Sequence, residues 1–246
     1  MPTRLALLLA AAIAAAAPPA HALRVFTEEN PPLNYTEGGK LVGAAAEMVQ
    51  AIGKAAGVPM TFEVVPWQQG YSAAQAGRDT CLFSTARLPD RERLFAWIGP
   101  IGYSAWGVFA RNDFAKPVRS LADLKPFRVG TVQFDAKVEY LKSSGVMNVW
   151  TVPEDAMNPP RLLLPKTDPS YIDLWITNLH GARAVAEKAG VKDLKLVLAV
   201  RDAPVYLACG PYVPKATVQA LQKAAEALAK DGTLARLVDK YDAKFK

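Results

Sequence analysis

Apolar and polar positions change period repeatedly along the chain. Residues 23–27 (Leu-Arg-Val-Phe-Thr) form a short β-like run, and the Pro-rich 28–35 stretch and Glu37-Gly38-Gly39-Lys40 read as loop and tight turn. Ala45, Met48, Val49 and Ile52 recur at helical spacing, and Gly57 stands where a C-cap belongs, which predicts a helix over 44–56. Residues 61–65 alternate and are rich in β-branched types, so they predict a strand. A helix over about 70–77 and a third strand at 81–84 follow. This strand–helix–strand–helix–strand order predicts an α/β layer with parallel strands.

A second unit of the same kind begins after Tyr103. Strands are predicted at 106–110, 127–130, 149–152, 171–176, 194–200 and 205–209. A capped turn falls at 120–124, and Thr131 is expected to open a helix that runs to about 143. Asn158-Pro159-Pro160 bars a helix from running through that segment. A helix at 181–189, a strongly amphipathic one at 216–230 and a last short helix complete the chain.

The N-terminus lies outside this pattern. Arg4 precedes an almost unbroken Leu/Ala run at 5–17, and Ala20-His21-Ala22 gives an A-x-A cleavage site. Residues 1–22 therefore read as a signal peptide, too short and Ala-rich for a membrane span. No Cys lies near the cleavage site, so no lipid anchor is expected. The remaining length suits one large domain or two lobes of roughly 100 residues each. With 51% apolar residues a proper core is available. The net charge of +6 is spread among acids without a basic run, which argues against nucleic-acid binding. In an exported chain the distant Cys81 and Cys209 are expected to be bridged. A metal site is the weaker reading, because His180 alone remains as histidine after cleavage and no Cys-x-x-Cys occurs.

Candidate chemistry concentrates in residues 81–103, where Ser84, Thr85, Arg87, Arg91 and Arg93 lie between two apolar runs, the second closed by Gly99-Pro100. Hydroxyls, guanidinium forks and free N–H groups at a strand-to-helix junction suit an anion. The competing reading is a solvated turn with a salt-bridged helix start.

The chain resembles the bacterial extracellular solute-binding proteins of family 3, the substrate receptors of polar amino-acid-type ABC importers. The resemblance rests on PPLNY with GGKLVGAAAEMVQAI, on STARLPDRERLFAWIGP, on SLADLKPFRVGTVQFD and on LAKDGTLARLVDKY, in that order. It implies an α/β, two-lobed periplasmic-binding-protein fold of type II with two hinge strands. Lobe 1 would comprise 23–106 plus 202–246 and lobe 2 residues 107–201, with ligand bound between them. It also places the strand ending at Cys209 beside the one starting at Cys81. Arg91 would grip a ligand carboxylate, with Ser84 and Thr85 beside it and Thr131 and Gln133 approaching from lobe 2. Glu28 would sit near the ligand's far end and Trp67 would form a wall. Arg87 would be an extra cation in the cleft loop, or a surface partner of Asp90.

Asn178 occupies the slot where amino-acid binders usually carry an Asp for the ligand's ammonium, so the ligand stays open between an amino acid, an organic acid and another small polar metabolite. The implied function is a monomeric periplasmic receptor for a small polar or anionic solute, working with an ABC permease of the inner membrane, without cofactor and without catalysis. The alternatives are a sensory or accessory binding protein and, as the minority reading, a dehydratase-like enzyme on the same fold.

Overall fold

The computed structural model describes residues 22–245; the signal-peptide reading of 1–22 falls almost wholly outside them. In chain order the elements are β1 (Leu23–Thr27), β2 (Tyr35–Glu37), β3 (Lys40–Val42), α1 (Ala44–Ala56), β4 (Met60–Val64), α2 (Trp67–Ala76), β5 (Thr80–Ala86) and β6 (Ala96–Arg111). They continue with β7 (Val129–Val132), α3 (Ala136–Ser143), β8 (Val149–Val152), α4 (Asn158–Arg161), β9 (Leu174–Asn178), α5 (Ala182–Lys188), β10 (Leu194–Cys209), α6 (Lys215–Lys230) and α7 (Thr233–Phe245).

Eight strands form one sheet in the order β4-β1-β5-β10-β6-β9-β7-β8, and β2 and β3 pair separately. Parallel pairings of β1 with β4 and β5, and of β7 with β8 and β9, flank the antiparallel β6–β10 pair. β6 and β10 are 16 residues each and pair from Leu194–Arg111 at one end to Cys209–Ala96 at the other. The parallel strands belong to either end of that ribbon, so the molecule has two halves joined by two crossing strands.

Each half has its own core, as helices covering a parallel sheet require. Met48, Val49 and Ile52 of α1 are fully buried against Phe83, Ile98, Leu207 and Leu221. Gly57 ends α1 in the left-handed conformation at φ 66°, where it tolerates the backbone without a Cβ penalty. In the other half Val108, Val129, Leu141, Leu174 and Ile176 pack on one face of the sheet. Phe109, Leu162, Ile172 and Trp175 pack on the other. Cys81 and Cys209 are register partners on β5 and β10 and form a disulfide.

Several local expectations are corrected. The apolar run does not close at Gly99-Pro100, since β6 passes through both residues. Between the Ile98–Leu207 and Gly102–Val205 pairs the register shifts, so Pro100 sits in a bulge where no ladder hydrogen bond is lost. The predicted strands 194–200 and 205–209 are one continuous strand. Residues 87–95 make turns rather than a helix start, in keeping with Pro89, which disfavours helical backbone at Leu88. Thr131 lies inside β7, and the cap of α3 is Asp135, whose carboxylate accepts from the Lys137 backbone N–H. Pro159 and Pro160 occupy the first turn of the short helix α4, where a missing N–H costs nothing.

Candidate functional site

Strand carboxyl ends in an open parallel sheet present loops and free backbone groups, so ligands collect there. In this chain the carboxyl ends of β1, β5 and β7 converge on the middle of the β6–β10 ribbon. The cleft between the halves is lined there by Glu28, Trp67, Ser84, Arg91 and Val205 on one side. Ser104 and Trp106 of the ribbon and Asp135, Ala136 and Lys137 from the start of α3 complete it. The space left is about 20 Å³, roughly enough for a single water. A wider opening of about 690 Å³ adjoins it at the cleft mouth, with Glu28, Pro31 and Val65 facing Asp155 and Val185.

The halves are drawn together by direct hydrogen bonds. Trp67 Nε1 and Arg91 Nη2 both donate to the Phe134 carbonyl, each at 2.9 Å. Gln133 Nε2 donates to Gln68 Oε1 at 2.6 Å. Phe134, two residues past the end of β7, holds a positive φ of 59°. Arg91 is only 3% exposed, lies 5.2 Å over the Tyr71 ring, and reaches Glu139 of α3 at 3.5 Å. Its Nη1 is buried without a partner.

Charge in the cleft is concentrated. Lys137 is buried, with Nζ 2.7 Å from Asp135 Oδ2 and 5.4 Å from the centre of the Trp106 ring. Burial opposes its charge, but Asp135, Asp155 and Glu28 outweigh this and hold its pKa above the ordinary value. Burial raises Glu28 well above the usual carboxylate range, and the Asp135 charge adds to it. Asp155 is also raised by burial, although Trp175, Thr177 and Asn158 all donate to it. Among the described residues, no group of three or more His, Cys, Asp or Glu side chains could hold a metal ion.

Of the residues singled out in the sequence, Glu28, Trp67, Ser84 and Arg91 line the inner cavity together. Ser84 has a positive φ of 57° and donates its hydroxyl to Asn34. Asn178 ends β9 in the buried layer behind, 3.5 Å from the Ser104 hydroxyl. Gln133 bridges the halves rather than lining the cavity. Three others lie away from the lining. Thr85 is fully buried and donates to the Leu82 carbonyl. Thr131 is fully buried in β7 with its hydroxyl unpartnered. Arg87 forks onto Glu92, not Asp90, and packs over Trp97 and Tyr206 in an outer depression. Asp135, Lys137 and Asp155 were missed, because an Asp before a helix and a Lys in its first turn ordinarily read as cap and solvated charge.

The family model described as bacterial extracellular solute-binding proteins, family 3, matches residues 23–244. The chain belongs to this family. Solved structures of the same fold include a histidine kinase sensor domain with similarity to periplasmic binding proteins, at TM-score 0.78 and 20% identity, covering 90% of this chain and 96% of that one. An ancestral arginine-binding protein bound to arginine aligns at TM-score 0.75 and 21% identity, covering 89% and 97%. An ancestral amino acid-binding protein, a precursor of cyclohexadienyl dehydratase, aligns at TM-score 0.70 and 21% identity, covering 92% and 95%. At these identities the likenesses establish the fold. No curated protein matches the sequence. Among the described residues of this family 3 protein, no helix is long and apolar enough to cross a membrane.

Proposed function

We propose that the chain is a periplasmic receptor that captures a small polar, carboxylate-bearing solute, an amino acid or an organic acid, and delivers it to an ABC permease. Lobe 1 is residues 23–106 with 202–246, lobe 2 is residues 107–201, and the two hinge on β6 and β10. The observation that carries this reading is the meeting of both halves' polar groups over a small cavity at the crossing of those two strands. Solute docks on Trp67, Ser84 and Arg91, and closure brings the β7–α3 loop with Gln133 onto it. The unpartnered Arg91 Nη1 is the donor left over for a carboxylate.

The test is a thermal-shift screen of amino and organic acids, followed by calorimetry on each hit. Arg91→Ala is expected to weaken the hit by about 2–5 kcal/mol, the usual loss on truncating a buried charge-assisted pair. Equal affinity in Arg91→Ala overturns the site assignment. A sensory role is the second reading, and the likeness to a histidine kinase sensor domain favours it over a catalytic one. Solute binding without any transport defect in a strain lacking the protein would decide for it.

A further inference from the structure

The inner cavity of about 20 Å³ holds a water and cannot enclose a solute whole. The opening of about 690 Å³ beside it can, and its walls have a different chemistry. Val65 and Pro66, after β4, face Pro153 and Val185 of the other half. The far wall is aromatic: Tyr35 is 8% exposed and meets Phe245, the last residue of α7, edge to face with ring centres 5.5 Å apart. Most charges on this lining are already spent. Glu37 holds Lys244 at 2.6 Å, and Glu29 accepts from the Thr36 backbone N–H at 3.1 Å. Asp155 takes donors from Trp175, Thr177 and Asn158, and burial favours the neutral form of Glu28. Glu154 and Lys188 are exposed to solvent. Independently, Arg91 lines the inner cavity, is 3% exposed and keeps Nη1 buried without a partner.

We infer that the opening is a tail subsite: the solute carries a hydrocarbon group of several carbons that lies between the Val65 and Val185 walls and against the Tyr35–Phe245 pair, while its carboxylate reaches inward to Arg91. This rests on the cleft being the solute site, and it narrows the solute to carboxylates with an apolar tail. Val65 and Val185 belong to opposite halves, so both cover the tail only when the cleft is shut. Each methylene buried there tightens binding by about fourfold. Short polar acids leave the apolar walls wetted and bind weakly. Phe245 gives the C-terminal helix a part in solute selection, with Lys244 on Glu37 and Lys240 on Glu47 pinning that helix in place.

The test is calorimetry of the wild type with acetate, butanoate, hexanoate and octanoate, and with 1-octanol. Affinity is expected to climb along the series, octanoate binding at least about tenfold tighter than butanoate. Val185→Asp sets a charge into the tail wall and is expected to flatten the series. Should that variant not fold, Phe245→Ala, in the last turn of α7, removes the far wall and is expected to reduce the climb. Equal affinity of the wild type for butanoate and octanoate overturns the inference, as does a climb that both variants leave intact, or no binding of any of these probes. Binding of 1-octanol as tight as octanoate, lost in Val185→Asp, keeps the tail subsite and refutes the carboxylate reading. A wild type that binds polar amino acids but not octanoate refutes the tail subsite and leaves the receptor reading standing.

Discussion

Gly181, the residue before α5, offers a way to block closure without removing a polar contact. A Cβ at this position would lie 1.9 Å from the Pro31 carbonyl oxygen and 2.8 Å from its carbon. Pro31 follows β1 in one half and Gly181 follows β9 in the other, so the clash falls across the cleft. Both obstacles are backbone atoms, and ordinary contact begins near 3.4 Å. The two halves would have to part by roughly 1.5 Å at this point to restore van der Waals distance. The backbone of Gly181 is helical (φ −86°, ψ −16°), so Ala brings no local strain. An overpacking cost of about 1–3 kcal/mol thus falls on the closed state. That shifts the closed-to-open ratio by about 5- to 150-fold. Small-angle scattering of unliganded Gly181→Ala should give a larger radius of gyration than the wild type, with an unchanged circular dichroism spectrum. Superimposable scattering curves would refute the reasoning that the halves touch here in solution.

Other expectations follow from the same contacts. Trp67→Phe keeps the ring but loses the bond to the Phe134 carbonyl, so solute affinity by calorimetry should fall by about 0.5–1.5 kcal/mol; unchanged affinity contradicts the role given to that bond. Glu28 has a pKa raised in the folded protein, so the folded state holds its proton more tightly than the unfolded chain does. Stability contributed by that proton is present below the ordinary value of 4.5 and is lost as pH rises through the raised one. Glu28→Gln, which leaves Asp135, Lys137 and Asp155 in place, should therefore gain melting temperature relative to the wild type as pH rises from 4.5 to 8, and parallel curves would contradict this. The Cys81–Cys209 bridge joins residues 128 apart, so the double Ala variant should lose about 4–5 kcal/mol in urea unfolding on the loop-entropy account. Unreduced wild type should titrate no free thiols.

Much of the fold was legible because its signals are local. The helical spacing of Ala45, Met48, Val49 and Ile52 and the Gly57 cap place α1 where it lies. The alternation at 61–65 likewise marks β4 to within a residue. The long strands β6 and β10 were not legible as single elements; in β6, Gly99-Pro100 reads as a break until the bulge opposite β10 is known. The site was half visible. Glu28, Trp67, Ser84 and Arg91, each named from the sequence, line one cavity. Thr131 was read as a helix start, but its strand continues to Val132 through pairing with β8, a long-range effect that no local spacing encodes. Lys137 was invisible for a related reason: what makes it unusual is its burial, and charge in the sequence carries no record of burial.

The most direct test of the receptor account is native mass spectrometry on protein purified from the periplasm without denaturation. The account predicts a small adduct that persists under native conditions, leaves on unfolding, and has the mass of an amino acid or an organic acid. Protein that carries no adduct, and whose melting temperature no amino or organic acid raises, would contradict it.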